Sequence, residues 1–120
     1  MKVFIIHSGK DRKEVKAIIE NKLKKQLANI EILMLNYIFL FWKFVAKKKI
    51  KQSDSVLFFV GKTSHESKNI DWEIKTALEF KKAIYIFKLN DNNKLNSVLE
   101  TTKDNVIIDD VIDLDNKRRG

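Results

Sequence analysis

Cysteine and proline are absent from this 120-residue chain, and glycine occurs only three times. Without cysteine there is neither a disulfide framework nor a thiolate metal site, which suits an intracellular, cytoplasmic setting. Histidine is nearly missing as well. His7 and His65 stand far apart in sequence, so a zinc site would have to be improvised from carboxylates, and no metal is expected. A Gly-rich phosphate loop is also lacking: the first apolar run is followed by Ser8-Gly9-Lys10-Asp11, neither G-x-G-x-x-G nor a Walker sequence. No linker or internal repeat is visible, and residues 1–120 suit a single domain.

Long hydrophobic runs are scarce. Val3 to Ile6 is too short for a signal peptide. Ile30 to Val45 is rich in Leu, Ile and Phe, but Glu31, Asn36 and Lys43 interrupt it, and it falls short of the roughly 20 apolar residues a spanning helix needs. No membrane span is expected, although an exposed part of this stretch would be an association surface.

What is abundant is lysine. The formal charge is +8, and Lys47, Lys48, Lys49 and Lys51 would make the natural patch for nucleic acid. Lysine is spread over nearly every segment, however, and no aromatic stacking platform interleaves with it in a strand pattern. Generic basicity explains the charge, and no specific nucleic-acid partner is expected.

The apolar runs alternate with helical periodicity. Lys2–His7 is a continuous apolar strand of the kind buried on both faces, and Val15, Ile18, Ile19, Leu23 and Leu27 mark a helix from about Lys13 to Gln26, with Asp11 and Glu14 as a capping box. Ile30–Leu35 reads as a second strand. Phe41, Phe44 and Val45 mark the packing face of a helix that Gln52 to Asp54 closes. Ser55–Val60 and Ile84–Leu89 are further strands flanking a helix with Ile70, Ile74, Ala77 and Leu78 at helical spacing. A turn at Asn90–Asn93, a short helix carrying Leu95, Val98 and Leu99, and an edge strand at Val106–Ile108 follow, before an acidic segment from Asp109 and a basic tail. Strands alternating with helices imply an α/β fold: a five-stranded parallel sheet in the order 2-1-3-4-5 with helices on both faces, a flavodoxin-like three-layer sandwich.

One carboxylate stands out in this frame. On a helix turning about 100° per residue, Glu73 falls roughly 60° to one side of Ile70, leaning toward the core and away from water. A carboxylate there needs a fixed partner or a purpose, because desolvating an unpaired charge is expensive. It also has a plain explanation, since Asp71 and Glu73 both favour the positive end of the helix dipole.

Other chemistries lack their parts. A receiver-like phosphoacceptor would need an aspartate at the end of the third strand, where the chain has Val60, Gly61 and Lys62. A Ser-His-Asp triad assembled from Ser8, His7 or His65, and Asp71 would lack a nucleophile elbow.

Three stretches together, KVFIIHS, IKQSDSVLFFVG from Ile50 and SKNIDWEIKTALEFKKAIYIF from Ser67, resemble a Toll/interleukin receptor (TIR) domain. They are most like the bacterial TIR-like proteins of Thoeris-type antiphage defence. Ser8, Ser53, Asp54, Ser67 and Glu73 match the family's pattern, while the family's Trp four residues before the Glu is here Asn69, a good N-cap. The resemblance implies an NAD+ glycohydrolase or cyclase that cleaves the nicotinamide–ribose bond, with NAD+ as substrate and no cofactor. Glu73 would be catalytic, and His7, Ser8, Asn36, Ser64 and Ser67 would line the same cleft as substrate-binding residues. Self-association, or association with other TIR-like or effector proteins, is the implied partnership. Two further readings stay open: a non-catalytic interaction module using the Asn36–Phe44 surface, and a nucleoside deoxyribosyltransferase-like enzyme with Glu73 as covalent nucleophile.

Overall fold

The computed structural model describes residues 1–27, 30–34, 41–100 and 105–114. Strands β1 (Lys2–Ile6), β2 (Glu31–Leu33), β3 (Ser55–Val60), β4 (Ala83–Lys88) and β5 (Asn105–Ile107) form one sheet, all pairs parallel, in the order β2-β1-β3-β4-β5. The expected α/β architecture is the one found. All six side chains of β3 are buried, because helices cover both faces of a central parallel strand.

Alternation along the strands sorts the core into two layers. Phe4 and Ile6 of β1, Val56, Phe58 and Val60 of β3, and Ile84 and Ile86 of β4 face helices α3 (Trp42–Gln52), α4 (Lys68–Glu79) and α5 (Ser97–Glu100). Val3, Ile5, Leu57, Phe59 and Tyr85 face the opposite way, onto Val15 of α1 (Arg12–Ile18). Each fully buried Ile or Phe among them contributes about 1.5–3 kcal/mol.

The first helix is less regular than its periodicity suggests. After α1 the chain widens into a π-type turn, Ile19–Leu23, before one last turn, α2 (Lys24–Gln26). Val15, Ile19 and Leu23 reach the core, whereas Ile18 and Leu27 are only partly buried. The expected capping box does not form: the Asp11 side chain makes no cap hydrogen bond, and Ser8 instead accepts from the Lys10 N–H of the preceding 3-10 turn, Gly9–Asp11.

Two other expectations are corrected, and one segment left without an assignment gains one. In α3 the inward stripe is Trp42, Ala46 and Ile50 at i, i+4 and i+8, so Phe41 and Phe44 are displaced to the outside, 73% and 72% exposed. Ser67, not Asn69, caps α4, its hydroxyl accepting from the Ile70 N–H at 3.2 Å, while Asn69 is exposed within the first turn. Beyond β5, Ile108, Val111 and Leu114 recur every three residues and bury against the α1 layer, so the acidic segment docks on the core through Val111 and Leu114. Asp110 there lies 3.8 Å from Lys22.

Two of the motif residues serve the sheet's amino edge. The Ser53 hydroxyl donates to the Ile50 carbonyl at 2.7 Å, closing α3, and the Ser53 carbonyl accepts from Lys82. Asp54 accepts from the Lys2 N–H at 2.7 Å, pinning the start of β1 beside β3. Among the described residues, no helix is long and apolar enough to cross a membrane.

Candidate functional site

At the carboxyl edge, β1 and β3 are neighbours whose continuations part: β1 leads into α1 on one face and β3 into α4 on the other. That divergence is the topological switch point, where open α/β sheets hold their ligands. Of the six residues expected to form a site, five have described positions at this edge or on the helix leaving it. Asn36 lies outside the described residues.

His7 follows the last residue of β1 and is 1% exposed. Its Nδ1 lies 2.8 Å from the Ser8 carbonyl. A carbonyl only accepts, so Nδ1 carries the proton and Nε2 is left as a lone-pair acceptor. Nε2 is buried and meets no hydrogen-bond partner among the described residues. Burial pushes the His7 pKa below its ordinary value, the Ser8 contact opposes that shift, and Arg12 lowers and Asp11 raises it more weakly. The imidazole is therefore neutral near pH 7.

Ser64 is fully buried and organises the loop after β3: its hydroxyl accepts from the Gly61 N–H at 2.8 Å, and its carbonyl accepts from Asn96 Nδ2 at 3.1 Å. Asn96, itself 0% exposed, also donates to Asp71 at 2.6 Å, tying the loop, the first turn of α4 and the approach to α5 together. No sequence period marks Asn96. Ser67, the α4 cap, is half-buried.

Glu73 occupies the second turn of α4, beside Ile70, Ile74 and Ala77 on the buried side, and is 0% exposed. The expected inward lean is therefore complete. Next to it in the chain, Trp72 meets Trp42 of α3 edge to face, 5.5 Å between ring centroids at 77°, with Lys43 Nζ 5.6 Å and 5.7 Å from the two centroids. This contact fastens α3 to α4 over a stretch whose only polar payload on the inner side is Glu73 and Thr76.

The open space lies elsewhere. A cavity of about 620 Å³ is lined by Asp11 and Glu14 from the α1 side, Gly61, Lys62 and His65 after β3, and the Leu89–Lys94 turn after β4. Among the described residues, none of the five expected site residues lines it. Its nearest sequence signal was Gly61: a Cβ there would fall 1.8 Å from Asp11 Oδ2, so only glycine lets the aspartate lie against the end of β3.

A family model described as the Thoeris protein ThsB, TIR-like domain, matches residues 43–108, more than half of the chain and including Ser64, Ser67 and Glu73. The structure is similar to a solved 2-deoxyribosyltransferase from Bacillus psychrosaccharolyticus, with a TM-score of 0.64 and 15% identity over 97% of this chain and 91% of that one. At that identity the likeness shows a common fold. No curated protein matches the sequence.

Proposed function

The chain belongs to the TIR-like domain family of the Thoeris protein ThsB, and from that premise we propose that it cleaves the nicotinamide–ribose bond of NAD+ in cytoplasmic antiphage defence, with Glu73 as the catalytic carboxylate. The observation that carries this reading is the placement of Glu73: a carboxylate drawn wholly out of water, on the helix that leaves the switch point. In such surroundings a negative charge acts strongly on a nearby developing cation. Substrate reaches it only when the side chains over it part.

The chemistry asks little else of the protein. As the bond between the anomeric carbon and the pyridinium nitrogen breaks, its electron pair goes to the nitrogen and neutral nicotinamide leaves. The ribosyl oxocarbenium ion that remains is stabilised by Glu73, which also accepts from ribose hydroxyls. Water attack, with loss of its proton to solvent, gives ADP-ribose; attack by a nucleophile within the same molecule or on another gives a cyclic or conjugated product. In this reading His7 and Ser8 at the end of β1, with Asn36, Ser64 and Ser67, hold and orient the substrate, and the buried Nε2 of His7 offers an acceptor to a ligand hydroxyl.

Nicotinamide release by concentrated protein supplied with NAD+ tests the proposal, since family resemblance implies activity on assembly. Release above the uncatalysed rate supports it. A second reading, the non-catalytic interaction module, is favoured by the sealing of Glu73 together with the outward Phe41 and Phe44, and it predicts no release. The deoxyribosyltransferase-like alternative predicts a glycosyl adduct on Glu73, detectable by mass spectrometry after rapid quenching.

A further inference from the structure

The cavity on the α1 side is built like a small-molecule site and is not accounted for by Glu73. Its volume, about 620 Å³, lies in the range of ligand pockets, roughly 300–1,000 Å³. Charges of both signs line it: Asp11 and Glu14 come from the α1 side, Lys62 from just after β3 and Lys94 from the turn after β4. Among the described residues none of these four forms an ion pair, so opposite charges flank one cavity without neutralising each other directly.

Two features fix the walls. The Asp11 carboxylate is held against Gly61 by the missing Cβ. The far wall is a stiff turn: Asn93 Nδ2 donates to the Val60 carbonyl at 2.8 Å, Leu89 N–H donates to the same carbonyl at 3.0 Å, and the Asn92 N–H is held by Asn90 Oδ1 at 3.0 Å. Both walls are therefore anchored to the end of β3.

We propose that this cleft is a second binding site, for a sugar phosphate or mononucleotide, with the phosphate on Lys62 and Lys94 and the sugar hydroxyls donating to Asp11 and Glu14. Lysines and carboxylates bordering one cavity suit a ligand that carries both an anion and hydroxyl donors; an excess of eight positive charges over the chain draws such an anion in. The lysines act as point charges on the phosphate, and the carboxylates accept only, so they discriminate for hydroxyls. The inference does not depend on whether Glu73 cleaves NAD+.

The test is binding to the full chain, followed by amide chemical shifts, with ribose 5-phosphate, AMP, adenosine and inorganic phosphate as probes at moderate salt. Saturable shifts centred on Gly61–His65 and Asn90–Lys94 are expected with ribose 5-phosphate and AMP, with adenosine and inorganic phosphate each at least tenfold weaker. Lys62→Ala/Lys94→Ala, both at exposed positions, should weaken the phosphorylated probes tenfold or more, and Asp11→Asn should weaken them severalfold. The proposal is overturned if neither phosphorylated probe gives saturable shifts, if the lysine variant binds them equally well, or if the shifts centre on Trp72–Ile74. Inorganic phosphate binding as tightly as AMP would also overturn it, reducing the cleft to an anion patch.

Discussion

The two sides of the sheet end differently at the carboxyl edge. On the α4 side a carboxylate is sealed into the layer that Ile70, Ile74 and Ala77 share with the sheet, and tryptophans from α3 and α4 lock the helices together. On the α1 side a carboxylate, Asp11, borders an open cavity rimmed by charges of both signs. Chemistry and access are thus divided: the carboxylate proposed to be catalytic is closed to solvent, and the charged groups that solvent reaches border the cavity on the other side. A site with this division either opens in order to act or leaves binding to one side and packing to the other.

Substitutions can break or sharpen that contrast. Ile74→Ala on the sealed side should cost about 2–5 kcal/mol, as a cavity in a packed layer does, while Asn92→Ala on the open rim should stay within about 0.5 kcal/mol. Equal small changes in chemical denaturation would mean that the α4 side is not tightly packed. Gly61→Ala comes next: its Cβ drives Asp11 from the end of β3, at about 1–3 kcal/mol. Adding Asp11→Ala should recover most of that loss, and a double-mutant cycle with no coupling would deny the contact.

Smaller still is a pH effect at the end of β1, where burial lowers the His7 pKa and Asp11 and Arg12 act on it weakly in opposite directions. The folded protein binds the imidazole proton less readily than the unfolded chain does. The stability this confers is therefore complete above the unfolded value near pH 6.5, and it is lost as pH falls from there through the lower folded value. His7→Gln should flatten that part of the melting-temperature profile; an unchanged slope would place the titration elsewhere. The smallest stability effect belongs to Phe41→Ser and Phe44→Ser, within about 0.5 kcal/mol because both rings are in water. Their readout is association: if this face joins copies of the chain, sedimentation at high concentration should show less self-association in the double variant than in the wild type.

The sheet was legible because a doubly covered strand is apolar in a continuous run, as Val3–Ile6, Val56–Val60 and Ala83–Phe87 are in β1, β3 and β4. The inward turn of Glu73 was legible for a similar reason, since its angle from Ile70 and Ala77 follows from helical geometry alone. Periodicity failed where tertiary choices decide between adequate stripes. In α3 Phe41, Phe44 and Val45 and the stripe Trp42, Ala46 and Ile50 are all apolar, and docking beside α4 selects the stripe and Val45 while leaving the two phenylalanines outside. The cap of α4 was misplaced because Ser67 and Asn69 are both good caps two residues apart. The open cavity was invisible: its walls come from three segments brought together by the sheet, and a single glycine at the end of β3 was the one trace of them in the sequence.

The central claim is that the sealed carboxylate is chemical and not merely structural. Nicotinamide release from NAD+ by wild type and by Glu73→Gln, compared at equal high concentration after both are shown to melt alike, tests it most directly. Loss of about two to four orders of magnitude in the variant is the predicted result, the scale for removing a positioned electrostatic stabiliser. Equal rates in the two proteins would contradict it.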